Sequence, residues 1–430
     1  MARQSQETDG DSEKALLVCV ENDATIEPYA VQELIALADT AGARVLEVFH
    51  QHRREPDPAF YIGRGKAEEI RDAETGAELM IVDTELSPTQ QRNLQETTNL
   101  RVIDRTQLIL DIFGQRARTR EGKLQVELAQ QMYLLPRLMN VYTKFERQQG
   151  GIGVRGGAGE TKLETDRRKV RDHIGDLEEE IAEVRSQRRQ QRNQRGSLPF
   201  PTAALVGYTS AGKSTLLNRL TGADVMADAK LFATLDPTTR RVSLPEGWAI
   251  LLTDTVGFIR NLPHGLVAAF RATLEEVVEA DFLIHVVDAA HPEAAVQERS
   301  VLSVLDELGA ADKAMITVLN KADVAPDRFA LTERVAATDN ACTLSAKTGE
   351  GMQDLIDRIA HTLRSLLVPV RALLPYDKPN LLAQCYQYGR VLALDYRPEG
   401  IALRAELTRD LAGRLAPYAT TIEAEAPVEG

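Results

Sequence analysis

Cysteine is scarce: the 430 residues include only Cys19, Cys342 and Cys385, far apart and not in pairs. That spacing supports neither a disulfide framework nor a zinc site, and it makes the cytoplasm the expected compartment. No apolar run approaches the roughly 20 residues that a membrane-spanning helix needs. The opening, "MARQSQETDGDSEK", is polar and acidic, so it reads as a tail and not as a signal peptide. Positive charge is in deficit too. Lys and Arg total 51 against 64 Asp and Glu, giving a net charge of −13, which argues against a simple nucleic-acid binder. The deficit is uneven: residues 1–100 hold 9 cations against 20 anions, whereas residues 101–171 hold 15 against 8. One basic island in an acidic chain fits either a local polyanion contact or a solvated helical face.

What is present is a chain long enough for about three domains, with 43% apolar residues to fill their cores. "ALLVCV", "RVLEVF", "ELMIVD" and "LRVIDR" read as strands, and "PYAVQELIALADTAG", "GKAEEIRDAE" and "PTQQRNLQET" as helices. That alternation predicts a small parallel or mixed α/β domain. "YIGRGK" places two glycines and two cations at a helix start, which reads as an anion site or as a plain turn. From about Gln107 to Gln194 the pattern lengthens. Leu163, Val170, Leu177 and Val184 recur every seven residues, with Ile174 and Ile181 at the offset positions, a coiled-coil seam. The preceding helix carries Leu124, Leu128, Leu135, Leu138, Tyr142 and Phe145, with a kink expected at Pro136. Between the two helices lies "GGIGVRGGAGETK", with six glycines from Gly150 to Gly159. It reads as a linker or as a contact tip bearing Ile152, Val154 and Arg155.

The expected fold class is α/β multidomain. The expected parts are a disordered tail over 1–13, an N-terminal α/β domain over 14–110, and an antiparallel helical hairpin over 111–198 with its tip at 150–159. A P-loop domain with a doubly wound, mostly parallel sheet follows over 199–367. A small α+β C-terminal domain over 368–424 and a disordered acidic tail over 425–430 complete the chain.

"AALVGYTSAGKSTLLNRL" is a buried strand, a glycine loop and a helix, and Gly207, Gly212, Lys213 and Ser214 fit G-x-x-x-x-G-K-[ST]. Such a loop wraps phosphates with backbone N–H groups. Lys213 would reach the β- and γ-phosphates, and the Ser214 hydroxyl would bind Mg²⁺. "LFATLDPTT" is placed as a mobile switch, with Thr234 as the second metal contact and Thr238 and Thr239 as rivals. "LLTDTVG" supplies Asp254, to hold the metal through water, and the Gly257 N–H for the γ-phosphate. "MITVLNKAD" ends a strand in Asn320, Lys321 and Asp323, whose carboxylate can accept both N1–H and N2–H₂ of guanine. "TLSAKTGEG" brings Ser345, Ala346 and Lys347, with the Ala346 N–H aimed at guanine O6. The expected nucleotide site is therefore Gly207, Tyr208, Thr209, Ser210, Ala211, Gly212, Lys213, Ser214 and Thr215; Phe232, Ala233, Thr234, Leu235 and Asp236; Asp254, Thr255, Val256 and Gly257; Asn320, Lys321, Ala322 and Asp323; and Ser345, Ala346 and Lys347. Lys213, Thr234 and Gly257 are the expected catalytic groups.

At these residues the chain resembles a translational-type GTPase of the HflX family. The resemblance rests on "GRGKAEEI", "ELSPTQQRNL", "DRTQLILDIF", "TREGKLQVELAQ", "GGIGVRGGAGETKLETDRR", "GYTSAGKST", "FATLDPTTR" and "DTVGFIRNLP", and runs from about Leu16 to Tyr418. It implies a GTP hydrolase that binds GTP and GDP with Mg²⁺, engages the large ribosomal subunit and splits or rescues ribosomes under stress. It also implies that the hairpin tip, through Gly151, Ile152 and Arg155, reaches ribosomal RNA. A monomer is expected, in the cytoplasm with a membrane-peripheral fraction. The competing reading is a GTP-regulated RNA-binding factor in large-subunit assembly. Two positions depart from the family pattern. Ser210 stands where Asn is usual, which puts potassium activation in question, and Gly157-Ala158 replaces the usual Gly-Pro, which should loosen the tip.

One further absence bears on mechanism. The residue after Asp-x-x-Gly is Phe258, which has no group to orient an attacking water. A GTPase of this kind depends on another group, in cis or from a partner, and acts as a timer on a larger assembly.

Overall fold

The computed structural model describes residues 12–21, 28–138, 158–195, 200–222, 230–245, 248–260 and 274–422. Two compact units emerge. One comprises Met1–Val184 with Asp228–Leu235 and Asn261–Arg271, and the other Arg185–Ala227, Asp236–Arg260 and Ala272–Gly430.

In the first unit, strands and helices alternate in the order β1 (Glu13–Glu21), α1 (Pro28–Ala41), β2 (Ala43–His52), α2 (Arg64–Asp72), β3 (Leu79–Val82), α3 (Pro88–Thr98), β4 (Arg101–Asp104) and α4 (Arg105–Arg116). The strands form a parallel sheet in the order β2-β1-β3-β4. Leu79, Met80, Ile81 and Val82 are all buried, as expected of a parallel strand covered on both faces. Sequence signals set the helix ends locally. Ser87 and Gln90 form a reciprocal capping box ahead of α3, with Pro88 in its first turn. The two cations of "YIGRGK" are engaged within α2, Arg64 with Glu68 at 2.9 Å and Lys66 with Glu69 at 2.7 Å, which favours the plain-turn reading.

The division expected between residues 110 and 111 falls inside α4, and Glu13, expected in the tail, opens β1. The hairpin helices are α5 (Arg120–Leu134) and α6 (Ala158–Arg195). Leu128, Leu177 and Ile181 are buried together, with Leu124 and Ile174 packed against them. Arg120 pairs with Glu180 and Glu127 with His173, so the two helices run antiparallel. The kink expected at Pro136 falls where the helix is interrupted. Helix α5 stops at Leu134, and residues 135–137 turn: Leu135 still has helical backbone and donates to Gln131 O, but Pro136 has no N–H to continue the ladder. Arg137 then anchors the turn, donating to Leu86 O at 2.8 Å and Asp104 Oδ2 at 3.0 Å. Tyr142, Phe145 and the tip residues Gly151, Ile152 and Arg155 lie outside the described residues.

The second unit continues with β5 (Thr202–Gly207), α7 (Lys213–Thr221), β6 (Thr238–Ser243), β7 (Ala249–Asp254), α8 (Glu275–Glu279), β8 (Phe282–Asp288), α9 (Ala294–Glu307), β9 (Met315–Asn320), α10 (Arg328–Ala337), β10 (Ala341–Thr343) and α11 (Met352–Leu366). The sheet order is β10-β9-β8-β5-β7-β6, with only β6 antiparallel to its neighbour. Its core includes Leu205, Ile250, Phe282, Ile316 and Leu355, each such side chain contributing about 1.5–3 kcal/mol on full burial. Four of the parallel strands, β5, β7, β9 and β10, each deliver one motif at the carboxyl end, where open α/β sheets bind ligands.

The remaining elements are β11 (Val368–Leu374), α12 (Pro379–Tyr388), β12 (Arg390–Arg397), β13 (Gly400–Leu407), α13 (Arg409–Leu415) and β14 (Ala419–Ile422). They form an antiparallel sheet in the order β12-β13-β11-β14, the split βαβ arrangement.

Candidate nucleotide site

The phosphate loop leaves β5 at Gly207 and enters α7 at Lys213. Gly212, the residue before α7, has φ +98°, and a Cβ there would lie 2.3 Å from Asn320 Nδ2. Only glycine meets both conditions without strain. The Lys213 ammonium donates to the carbonyls of Gly207 and Tyr208, each at 3.0 Å. Burial pushes its pKa down to about 8, partly offset by the nearby Asp254 charge. Ser214 donates its hydroxyl to Asp254 Oδ2 at 2.6 Å, joining the start of α7 to the end of β7. Thr255 donates to Leu205 O at 2.6 Å, which ties the turn after β7 back to β5.

That turn is bound to the phosphate loop itself. The Phe258 N–H donates to Gly207 O at 3.1 Å and the Thr209 N–H donates to Phe258 O at 2.7 Å. The Phe258 side chain is 2% exposed. Tyr208 reaches past it and accepts at its hydroxyl from the Arg260 N–H at 2.8 Å.

On the other side of β5, Asn320 links two motifs. Its Nδ2 donates to Ala211 O at 2.7 Å and its Oδ1 accepts from the Ala346 N–H at 3.0 Å. The Ala346 N–H expected to face guanine O6 is thus engaged by Asn320, and any contact to O6 has to be shared or exchanged. Ser345 is buried, and its hydroxyl accepts from Thr348 N–H at 3.1 Å, which shapes the loop after β10. Asp323 is half-buried and Lys347 is exposed.

The structure gathers the phosphate loop, Asp254 to Gly257, Asn320 to Asp323 and Ser345 to Lys347 in one unit. Phe232, Ala233, Thr234 and Leu235 belong to the other unit, where the Phe232 ring meets Phe113 edge-on at 4.8 Å. Of the rival threonines, Thr238 pairs with Asp254 in the β6–β7 ladder and the Thr239 hydroxyl bonds that of Thr253 at 2.9 Å. Sequence reasoning missed Asp288 and His285. Asp288 closes β8 and accepts from the Lys321 ammonium at 2.6 Å. His285 is buried in the same strand, and burial, with Arg334 and Lys213 nearby, pushes its pKa down to about 4. The only available signal was position: both lie in "FLIHVVD", a strand between two motifs. Among the described residues no helix is long and apolar enough to cross a membrane.

This sheet, loop and pair of base-side motifs define a P-loop GTPase. Four family models match successive stretches of the chain: "GTP-binding GTPase N-terminal" over 29–114, "GTP-binding GTPase Middle Region" over 116–195, "50S ribosome-binding GTPase" over 202–321 and "HflX C-terminal domain" over 330–418. The chain belongs to the HflX family of GTPases, and it is a GTP-binding protein and a GTP hydrolase. A GTPase HflX of Lacrimispora saccharolytica is 46% identical over 410 residues, covering 95% of this chain and 96% of its own. The GTPase HflX of Escherichia coli is 45% identical over 378 residues, covering 87% and 88%. Among solved structures, a GTP-binding protein from Sulfolobus solfataricus in complex with GDP is 25% identical, with a TM-score of 0.45 over 82% of this chain and 99% of its own.

Proposed function

We propose that this GTPase works on the large ribosomal subunit, hydrolysing GTP quickly only when bound there, and that it splits or rescues ribosomes under stress. The observation that carries the reading is the burial of Phe258. The residue after Asp-x-x-Gly turns into the core and leaves no side chain at that position to orient water. The family model matching 202–321, described as a 50S ribosome-binding GTPase, supports the choice of partner.

In this reading the loop N–H groups of Gly207 to Ser214 and the Lys213 ammonium hold the phosphates, exchanging the contacts Lys213 makes with Gly207 and Tyr208. The Gly257 N–H meets the γ-phosphate, and Asp323 reads the guanine edge. The Ser214 hydroxyl and the Asp254 carboxylate, 2.6 Å apart, are hard oxygen donors of the kind Mg²⁺ takes. Ser214 would hold the ion directly and Asp254 through water. Bound there, the ion would neutralise charge on the β- and γ-phosphates. The tip residues Gly151, Ile152 and Arg155 would contact ribosomal RNA.

Co-sedimentation with mature large subunits under GDP, GTP and a non-hydrolysable analogue tests the proposal, together with turnover measured with and without subunits. The expected result is analogue-dependent binding and at least ~10-fold faster turnover on the subunit, a barrier lower by about 1.4 kcal/mol or more. No stimulation by any ribosomal particle overturns it, and binding restricted to immature particles favours the assembly reading.

A further inference from the structure

Asp288 sits at the last position of β8, opposite Asn320 in the β8–β9 ladder. Its carboxylate is divided between two tasks. Oδ1 accepts from the Ala290 N–H at 3.1 Å, which fixes the side chain to its own turn. Oδ2 accepts from the Lys321 ammonium at 2.6 Å. The two side chains are 14% and 36% exposed, so the pair is shielded on the aspartate side. Lys321 makes this contact from left-handed backbone, with φ +62°, a conformation that residues other than Gly, Asn and Asp adopt rarely. The turn is held on both sides, since Ala289 N–H donates to Asn320 O at 2.9 Å and Ala322 N–H donates to Leu344 O at 3.2 Å.

Two residues beyond Lys321 lies Asp323. A lysine ammonium is a compact charge on a flexible four-carbon stem, and it seeks the nearest carboxylate. Left without a partner, Lys321 would compete with the guanine N1–H and N2–H₂ for the oxygens of Asp323. Asp288 supplies an alternative, and it is immobilised by its bond from Ala290.

We propose that Asp288 is a positioning residue for base recognition: it draws the Lys321 ammonium away from Asp323 and fixes the lysine stem, so that both Asp323 oxygens remain for guanine. This rests on the assignment of Asp323 to the base. Asp288 touches no nucleotide in this arrangement and acts only through Lys321. Its effect should therefore fall on binding and base choice and not on the chemical step.

The test is a double-mutant cycle in the full chain. GDP and IDP affinities are measured for the wild type, Asp288→Asn, Asp288→Ala, Lys321→Ala and the double variant Asp288→Ala with Lys321→Ala. IDP lacks the N2 amino group, so the GDP-to-IDP affinity ratio reports whether Asp323 is available to the base, which a merely structural role for Asp288 would not move. Asp288→Asn keeps the size and the acceptor for Ala290 while removing the charge, and so separates positioning from misfolding. The expected result is a loss of GDP affinity of about 10-fold in both single Asp288 variants, the usual scale for residues coupled through one ion pair. The GDP-to-IDP ratio should shrink, and kcat at saturating GTP should stay within about twofold of wild type. In the Lys321→Ala background the Asp288 substitution should add less than about twofold, because its partner is gone. Full additivity in the cycle, or an unchanged GDP-to-IDP ratio in Asp288→Asn, overturns the proposal. Asp323→Asn is the control on the underlying assignment: if that variant keeps its guanine preference, the base-site reading itself fails, independently of Asp288.

Discussion

Thr209 donates its backbone N–H to the carbonyl of Phe258 at 2.7 Å, one of two bonds that pair Tyr208 with Phe258 and join the phosphate loop to the turn after Asp-x-x-Gly. Phe258 returns a bond through its own N–H to Gly207, and its ring is 2% exposed. A substitution here therefore acts on the core first. Phe258→Ala should lower stability by about 3–5 kcal/mol, the range for an emptied phenylalanine site. Phe258→Gln should bury an amide at a cost of about 1–3 kcal/mol and leave free turnover slow, because the side chain points away from any phosphate. Denaturant melts and single-turnover assays of the free protein check both outcomes. A free Phe258→Gln enzyme about 10-fold faster than wild type would contradict this direction of the side chain.

The preceding glycine is constrained by space. A Cβ at Gly257 would stand 2.7 Å from Thr209 Cα, which is backbone and cannot rotate away. Gly257→Ala should separate the turn from the phosphate loop, with an overpacking cost of about 1–3 kcal/mol. Nucleotide titration against kinetics gives the readout: hydrolysis should fall further than GDP affinity, since in the proposed mechanism this N–H meets only the γ-phosphate. Equal losses in both would remove Gly257 from that role.

Asn320 bridges Ala211 and Ala346 with hydrogen bonds of 2.7 and 3.0 Å and is itself 2% exposed. Removing it strands a buried carbonyl and a buried N–H, each worth about 1–3 kcal/mol when left unmade. Asn320→Ala should therefore weaken both GDP and GTP by about 10-fold or more, a loss of about 1.4 kcal/mol or more in binding. Calorimetric titration measures it. Asn320→Asp keeps the acceptor for Ala346 and loses the donor to Ala211, so it should fall between the wild type and the alanine variant.

His285 provides a pH signature. Its folded-state pKa is depressed to about 4, chiefly by burial, with Arg334 and Lys213 adding to the effect. The unfolded chain, near the ordinary histidine value of about 6.5, binds the proton more readily. Between those two values the unfolded state holds more protons, so stability rises with pH across that window and is lost as pH falls through it. The span corresponds to about 3 kcal/mol at most. Urea titrations at pH 7 and pH 5 should differ in midpoint for the wild type, and His285→Gln should flatten that difference. An unchanged pH slope in the variant would assign the acid sensitivity to other groups.

Contiguous stretches carried much of the site. Gly207 to Ser214 can be read directly because a phosphate loop is local: strand, glycines, lysine and hydroxyl lie within one turn of chain. The alternating strands and helices of both parallel sheets were legible for a similar reason, since apolar runs and capping residues such as Ser87 act on near neighbours. The break in α5 was half-legible. Pro136 marked the place, but the end of the helix at Leu134 is held by Arg137 reaching Asp104, a contact across 33 residues that no local pattern contains.

Tertiary structure alone decided the rest. The sequence shows that Phe258 has no polar group, but only folding shows that its ring enters the core while its backbone bonds Gly207 and Thr209. It shows Asn320 in a base-recognition motif, but not that the side chain spans from Ala211 to Ala346. Phe232 reads as part of a switch and is found packed on Phe113. Asp288 has no motif at all, and its meaning comes from Lys321 alone. In each case the partner lies tens of residues or more away, and the decisive quantity is a distance of a few ångströms set by sheet order and register. Residue type and periodicity determine which element forms and what chemistry it could offer. They carry no information on which side chain from another strand arrives beside it.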